Sequence, residues 1–181
     1  VIILVEDNRH QQFVLRYLRR CGLEHHAMRF VHSPAGAGSG EQWVREQFAV
    51  EVKVCRRRRA RAETALIVLI DADNFSVQER LAQLDRELVD AQTDRIRPDA
   101  EKIARLIPKR NIETWILCLH GILVDEEADY KRTPRDWNAL IRSGTETLYG
   151  WTRQNAAIGA NAIPSLQLAI AELKRLDLRA R

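Results

Sequence analysis

The chain has 181 residues, of which 45% are hydrophobic and 30% charged. That is enough apolar material for one domain with a real core, and it excludes a disordered chain. The formal net charge of +4 suits an anionic partner such as nucleic acid without requiring one, and the strand-sized apolar runs exclude a membrane span.

Three cysteines, Cys21, Cys55 and Cys118, are scattered without zinc-knuckle or redox spacing. They read as reduced, buried thiols of a cytoplasmic protein. No signal peptide is visible, and Val1 already lies inside a strand-like run, so an initiator methionine is expected to be missing.

Val1 to Val5 is continuously apolar, the pattern of a strand buried on both faces. It ends in Glu6-Asp7-Asn8. Phe13, Val14, Leu15, Tyr17, Leu18 and Cys21 then follow a helical period that Gly22 stops. His25 to Val31 predicts a second strand, and Ser33 to Gly40 a glycine-rich loop. Glu41 to Val54 predicts a helix with Trp43, Val44, Phe48 and Val52 inside, followed by the basic run Arg56, Arg57, Arg58, Arg59 and Arg61. Thr64 to Ile70 is the strongest strand and runs straight into Asp71-Ala72-Asp73-Asn74. Ser76 caps a helix reaching about Ala91. Ile103 to Ile107 is a short strand, and Ile112 to Leu123 an apolar helix containing Trp115. Beyond an acidic stretch at Asp125 to Asp129, helices are expected at Arg135 to Ile141 and from Ser165 onward.

Alternating strands and helices predict an α/β domain with a mostly parallel, Rossmann-like sheet and right-handed crossovers over residues 1–124. A helical C-terminal extension, residues 125–181, is expected to pack on the same domain. Sites in such sheets form beyond the carboxyl ends of the strands. Both acidic clusters, Glu6-Asp7 and Asp71-x-Asp73, stand there.

A hard divalent cation needs several oxygen ligands close together. Asp71 and Asp73, two apart in extended chain, share a face, and Glu6 joins them if the two strands are neighbours. Converging carboxylates repel unless a cation lies between them. Mg²⁺ or Mn²⁺ there polarises a phosphoryl oxygen or activates water. The competing bland reading is that each cluster only caps a helix or fills a turn.

A glutamate after the first strand and an Asp-x-Asp after a later buried strand resemble the TOPRIM domain of type IA topoisomerases, primases, recombination proteins and OLD-type nucleases. The chain is similar in particular to the small TOPRIM-like proteins found beside ATPases in anti-phage defence. Further shared features are the glycine-rich Gly36 to Gly40 stretch before a Trp-containing helix, Ile112-Glu113-Thr114-Trp115, Asp129-Tyr130-Lys131 and Pro164-Ser165-Leu166. The resemblance covers most of the chain. It implies a Mg²⁺- or Mn²⁺-dependent nuclease working with an ATPase partner. Glu6 would be ligand or general acid/base, Asp71 and Asp73 metal ligands, and Glu113 and Lys131 site residues. Two departures stand out: Asp7 replaces the glycine that often follows the first glutamate, and Arg9, His10 and Gln11 occupy the region of a second glutamate in many OLD-like nucleases. One-ion chemistry, or a site that serves recognition only, stays open.

Other readings compete. Ile2 to Asn8 also looks like the start of a response-regulator receiver domain, but no Met-Pro follows the later aspartate, and Pro108-Lys109 reverses the expected Lys-Pro. A non-catalytic interaction subunit that kept the fold is the second reading, and the receiver domain the third. Glu41 after Gly40 excludes a P-loop. Arg56 to Arg59 bind phosphates or simply end a helix in solvent. His10, one helical turn after Glu6, faces either the site or, more simply, solvent. The tryptophans read as core or interface anchors, with Trp151 a candidate for exposure. DNA or RNA, and a homo-oligomer, are left undecided.

Overall fold

The structure, a computed structural model, describes residues 1–31, 33 and 39–178. The fully apolar stretches form strands as their composition dictates. These are β1 (Ile2–Val5) and β3 (Leu66–Leu69), both buried throughout; β4 (Ile103–Leu106) adds one charged residue, Arg105, to an otherwise apolar run. Strand β2 (Arg29–Val31) is an edge and only half-buried. The sheet is parallel throughout, in the order β2-β1-β3-β4.

Among the described residues, six α-helices flank it: α1 (Asn8–Arg20), α2 (Gly40–Arg59), α3 (Val77–Asp90), α4 (Ile112–Leu119), α5 (Trp137–Trp151) and α6 (Pro164–Leu176). Because side chains alternate along a strand, Ile3, Val5, Ile67 and Leu69 pack under α1, α4, α5 and α6, while Ile2, Leu4, Leu66 and Val68 pack under α2 and α3. The fold is therefore α/β with both sheet faces covered. The C-terminal helices α5 and α6 join the core of the first face rather than forming one of their own.

Several boundaries differ from expectation. The polar His25-His26 pair forms a short 3-10 turn rather than strand. Helix α4 stops at Leu119 because Gly121 takes φ +76°, which leaves Leu123 exposed. Helix α5 runs to Trp151, well past Ile141, and Trp151 packs against Gly159, where a Cβ would lie 2.4 Å from its ring. It is a half-buried anchor, not an exposed residue. Helix α2 continues through the arginine run to Arg59. Of the glycine-rich stretch, residues 36–38 lie outside the described residues. Cys21, Cys55 and Cys118 are all buried. Among the described residues, no helix is long and apolar enough to cross a membrane.

The connections fix where a site forms. Helix α1 lies on one face, whereas α2 and α3 lie on the other. The chain thus winds in opposite senses from β1 and from β3, and a crevice opens between their carboxyl ends, the topological switch point. Val5 pairs with Leu69, so Glu6 and Asp71 leave the sheet side by side at that crevice.

Candidate metal centre

Asp71 is held in place by the sheet's own hydrogen bonding. Ile70 N donates to Leu106 O at 3.2 Å and Ala72 N to Pro108 O at 2.8 Å, so the chain stays parallel to its neighbour past the end of β3. The Asp71 N–H donates to Glu6 Oε2 at 3.3 Å. Glu6 is fixed from the other side by Gly40, the first residue of α2. A Cβ there would meet Glu6 O at 2.6 Å, so only glycine lets the helix start this close.

The third member is His10. Asp7 caps α1 by accepting the His10 N–H at 2.9 Å, and its Oδ1 lies 2.7 Å from His10 Nδ1. The ring's Nε2 lies 2.9 Å from Asp71 Oδ1. His10 is fully buried, so the simpler surface reading of this residue is wrong. Glu6, His10 and Asp71 each offer one ligand atom, and these atoms lie within 4.8 Å of one another.

Asp73 is not part of this group. The chain turns after Ala72, with Phe75 N donating to Ala72 O at 2.9 Å, and Asp73 adopts φ +55°. The expectation that Asp71 and Asp73 share a face assumed extended chain; with the turn, Asp71 joins the group and Asp73 does not. Asp73 instead lies 3.8 Å from the buried Arg80 guanidinium and 3.7 Å from Lys131 Nζ. Lys131 is at the site as expected, 3.2 Å from Asp71 Oδ2, and its backbone N–H is held by Asp129 Oδ1 at 2.8 Å. Asp129 also accepts from Asn111 Nδ2 at 2.9 Å, which ties this loop to the start of α4.

Glu113 is buried but does not join the carboxylates. It pairs with Arg9, the residue before His10, and its Oε2 has no hydrogen-bond partner. The arginine run is far from the site. Helix α2 starts beside Glu6 and ends at the amino ends of the strands, about 24 Å along the axis from Gly40 to Arg56. Arg56 is engaged there in a two-pronged pair with Glu101, at 2.6 and 3.0 Å. Arg57, Arg58 and Arg59 are exposed at that same far end.

The electrostatics follow from crowding. Burial pushes the Glu6 carboxyl up to about 7; Asp71 and Asp73 add to the rise, while His10 and Lys131 oppose it. Burial disfavours charge on His10, but Asp71 and Asp7 outweigh it and raise the imidazole to about 10. Burial likewise works against an ionised Asp7, yet the bonds and charge from His10 hold it well below the usual carboxylate range. Lys131 is raised because its attraction to Asp71 exceeds the cost of burial.

The residues fit a divalent ion. Asp71 Oδ2 is buried and makes no hydrogen bond, only the ion pair with Lys131. Two carboxylates and one imidazole within bridging distance form a donor set that could hold a metal ion. Sequence reasoning gave His10 too little weight; the usable signal was the Asp7-x-x-His10 spacing, which puts an N-cap carboxylate beside the ring. No family model, curated protein or solved structure matches the chain.

Proposed function

We propose that the chain is a metal-dependent phosphodiesterase acting on nucleic acid, with Glu6, His10 and Asp71 holding Mg²⁺ or Mn²⁺. The observation that supports this is the meeting of Glu6 and Asp71 at the switch point of a parallel sheet, with one buried carboxylate oxygen lacking a hydrogen bond. A bound divalent ion supplies Lewis acidity and neutralises negative charge on the phosphoryl group.

The chain's own residues supply the rest. Asp71, locked between β4's extension and His10, fixes the position at which a phosphoryl oxygen is received. Glu6, on the flank of that position, serves as ligand or accepts the proton of the attacking water. Lys131 is 38% exposed on a loop. Its ammonium moves from Asp71 towards charge that builds on the transferred group. Asp73, held by Arg80, stays at the rim as a partner for Lys131.

The TOPRIM resemblance extends the proposal to a subunit of an anti-phage system in the cytoplasm, beside an ATPase. The test is incubation of the purified protein, alone and with an ATPase encoded beside it, with DNA and RNA plus Mg²⁺ or Mn²⁺. Cleavage lost in Glu6→Gln and Asp71→Asn supports the reading. Absence of cleavage in every combination, with cation binding intact, favours an interaction subunit.

One observation favours a second reading. Asp71 ends the strand beside β1, with an ammonium at 3.2 Å and acids after β1, an arrangement similar to a phosphoacceptor site. Labelling of Asp71 by acetyl phosphate tests it. The full burial of Asp71 and its bond to His10 argue against such labelling.

A further inference from the structure

Beside the acidic cluster, on the far side of Asp7, lies a cavity of about 520 Å³ at the amino ends of α1 and α5. That is within the usual range for a small-ligand site. Its walls include Asn8, Arg9, Gln12, Arg135, Trp137 and Asn138. The Arg9 guanidinium lies over the Trp137 ring, 5.1 Å from its centroid, and is fixed at its edge by buried Glu113. Both line the cavity, so an indole and a guanidinium held against it are presented to whatever enters. Three side-chain amides surround it, each able to donate and to accept.

The acids of this cavity are already engaged. Asp7 bonds His10, and Asp136 caps α5 by accepting the Ala139 N–H at 3.1 Å. Arg135 makes no ion pair among the described residues and stands exposed at the rim. The lining therefore suits a neutral, planar, hydrogen-bonding group, with Arg135 placed for an attached anion. Asp7, which lines the cavity, bonds the His10 ring, and His10 in turn bonds Asp71, so a chain of contacts links the cavity to the cluster.

We propose that this cavity receives an unpaired base of a single-stranded nucleic acid, stacked on the Trp137–Arg9 surface, while the adjoining phosphate lies at the acidic cluster. The inference rests on the phosphodiesterase reading above. Bases stack on aromatic rings and on guanidinium planes, and an unpaired base exposes the faces and edges that a paired one keeps inside the helix. Glu113 thereby acquires a role: it is a positioning residue that holds Arg9 over Trp137.

The test measures binding of labelled single strands that differ only in their bases. One is an oligoadenylate 12-mer, another an abasic 12-mer of equal charge, with a duplex of the same length as competitor. Wild type is expected to prefer the base-bearing strand over the abasic one, and to prefer single strand over duplex. Trp137→Ala is expected to weaken binding of the base-bearing strand roughly 5- to 150-fold and to erase the preference. Trp137→Phe keeps a ring and retains most of the preference, which separates stacking from a folding defect. Asp71→Asn changes both affinities without changing their ratio. Equal binding of base-bearing and abasic strands by the wild type, binding of neither, or a preference that survives in Trp137→Ala overturns the proposal. Equal cleavage of both strands removes the base site and leaves the phosphodiesterase. Base-dependent binding without any cleavage does the reverse.

Discussion

His10 Nε2 and Asp71 Oδ1 lie 2.9 Å apart across 61 residues of chain, and this contact joins the first turn of α1 to the end of β3. Both side chains are fully buried, so each helps compensate the other for leaving water, together with Asp7 on His10 and Lys131 on Asp71. The contact also governs the site's chemistry, because His10 either keeps its proton and bonds Asp71 or gives it up to bind an ion.

Removal of the ring should leave Asp71 buried beside Lys131 alone. His10→Ala is expected to lose about 3–5 kcal/mol of stability, the usual loss when one member of a buried charge pair is deleted. Denaturant unfolding measures this, and His10→Gln, which keeps a donor, should lose less.

The pH dependence of the chelator-treated protein carries a definite sign. His10 is raised to about 10 in the folded state from an ordinary value of 6.5. Between these values the folded protein holds a proton that the unfolded chain has released, so stability falls as pH rises. The contribution is complete below pH 6.5 and is lost as pH passes through about 10. Melting temperatures recorded across that window should decline in the wild type and stay flatter in His10→Gln.

Cations should reveal themselves by stabilisation. An ion that binds only the folded state adds about 2.7 kcal/mol at a hundredfold excess over its dissociation constant. Mg²⁺ or Mn²⁺ is expected to raise the melting temperature of the wild type and of Asp73→Asn, and to leave Glu6→Gln and Asp71→Asn unmoved. A response lost in Asp73→Asn would put Asp73 back among the ligands.

Gly40 provides a test that alters no ligand. Its substitution by alanine forces a Cβ to 2.6 Å from Glu6 O. Gly40→Ala should cost about 1–3 kcal/mol by overpacking and weaken cation binding by displacing Glu6. Gly150→Ala, where nothing lies within 4 Å, is the control and should be neutral or stabilising.

The far end of the sheet should be separable from the site. Arg56→Met leaves Glu101 without its two-pronged partner and is expected to lose about 2 kcal/mol, less than a fully buried pair, since Arg56 is partly exposed. Arg57→Gln and Arg58→Gln should leave both stability and cleavage rate unchanged, as unfolding curves and single-turnover assays would show.

What the sequence made legible was whatever local chemistry decides. Short unbroken apolar runs such as Leu66 to Leu69, bounded by polar turns, read as buried strands, and Ser76 caps α3 as its position suggests, with Glu79 completing a capping box. Acids after two such strands located the crevice correctly. The membership of the site was harder, because it depends on contacts remote in sequence. The burial of His10 is set by a partner 61 residues away, and Asp73 leaves the cluster because a turn interrupts the alternation on which its assignment relied. Helix α5 was underestimated because Ile141, Thr145 and Leu148 carry its inner face between glycines and polar residues, which dilutes the apolar period.

The most direct measurement is anomalous diffraction from crystals grown with Mn²⁺. The expected result is a peak bounded by Glu6, His10 and Asp71, with the Lys131 ammonium moved away from Asp71. An absence of any peak there at saturating Mn²⁺, with the His10–Asp71 and Lys131–Asp71 contacts intact, would contradict the account.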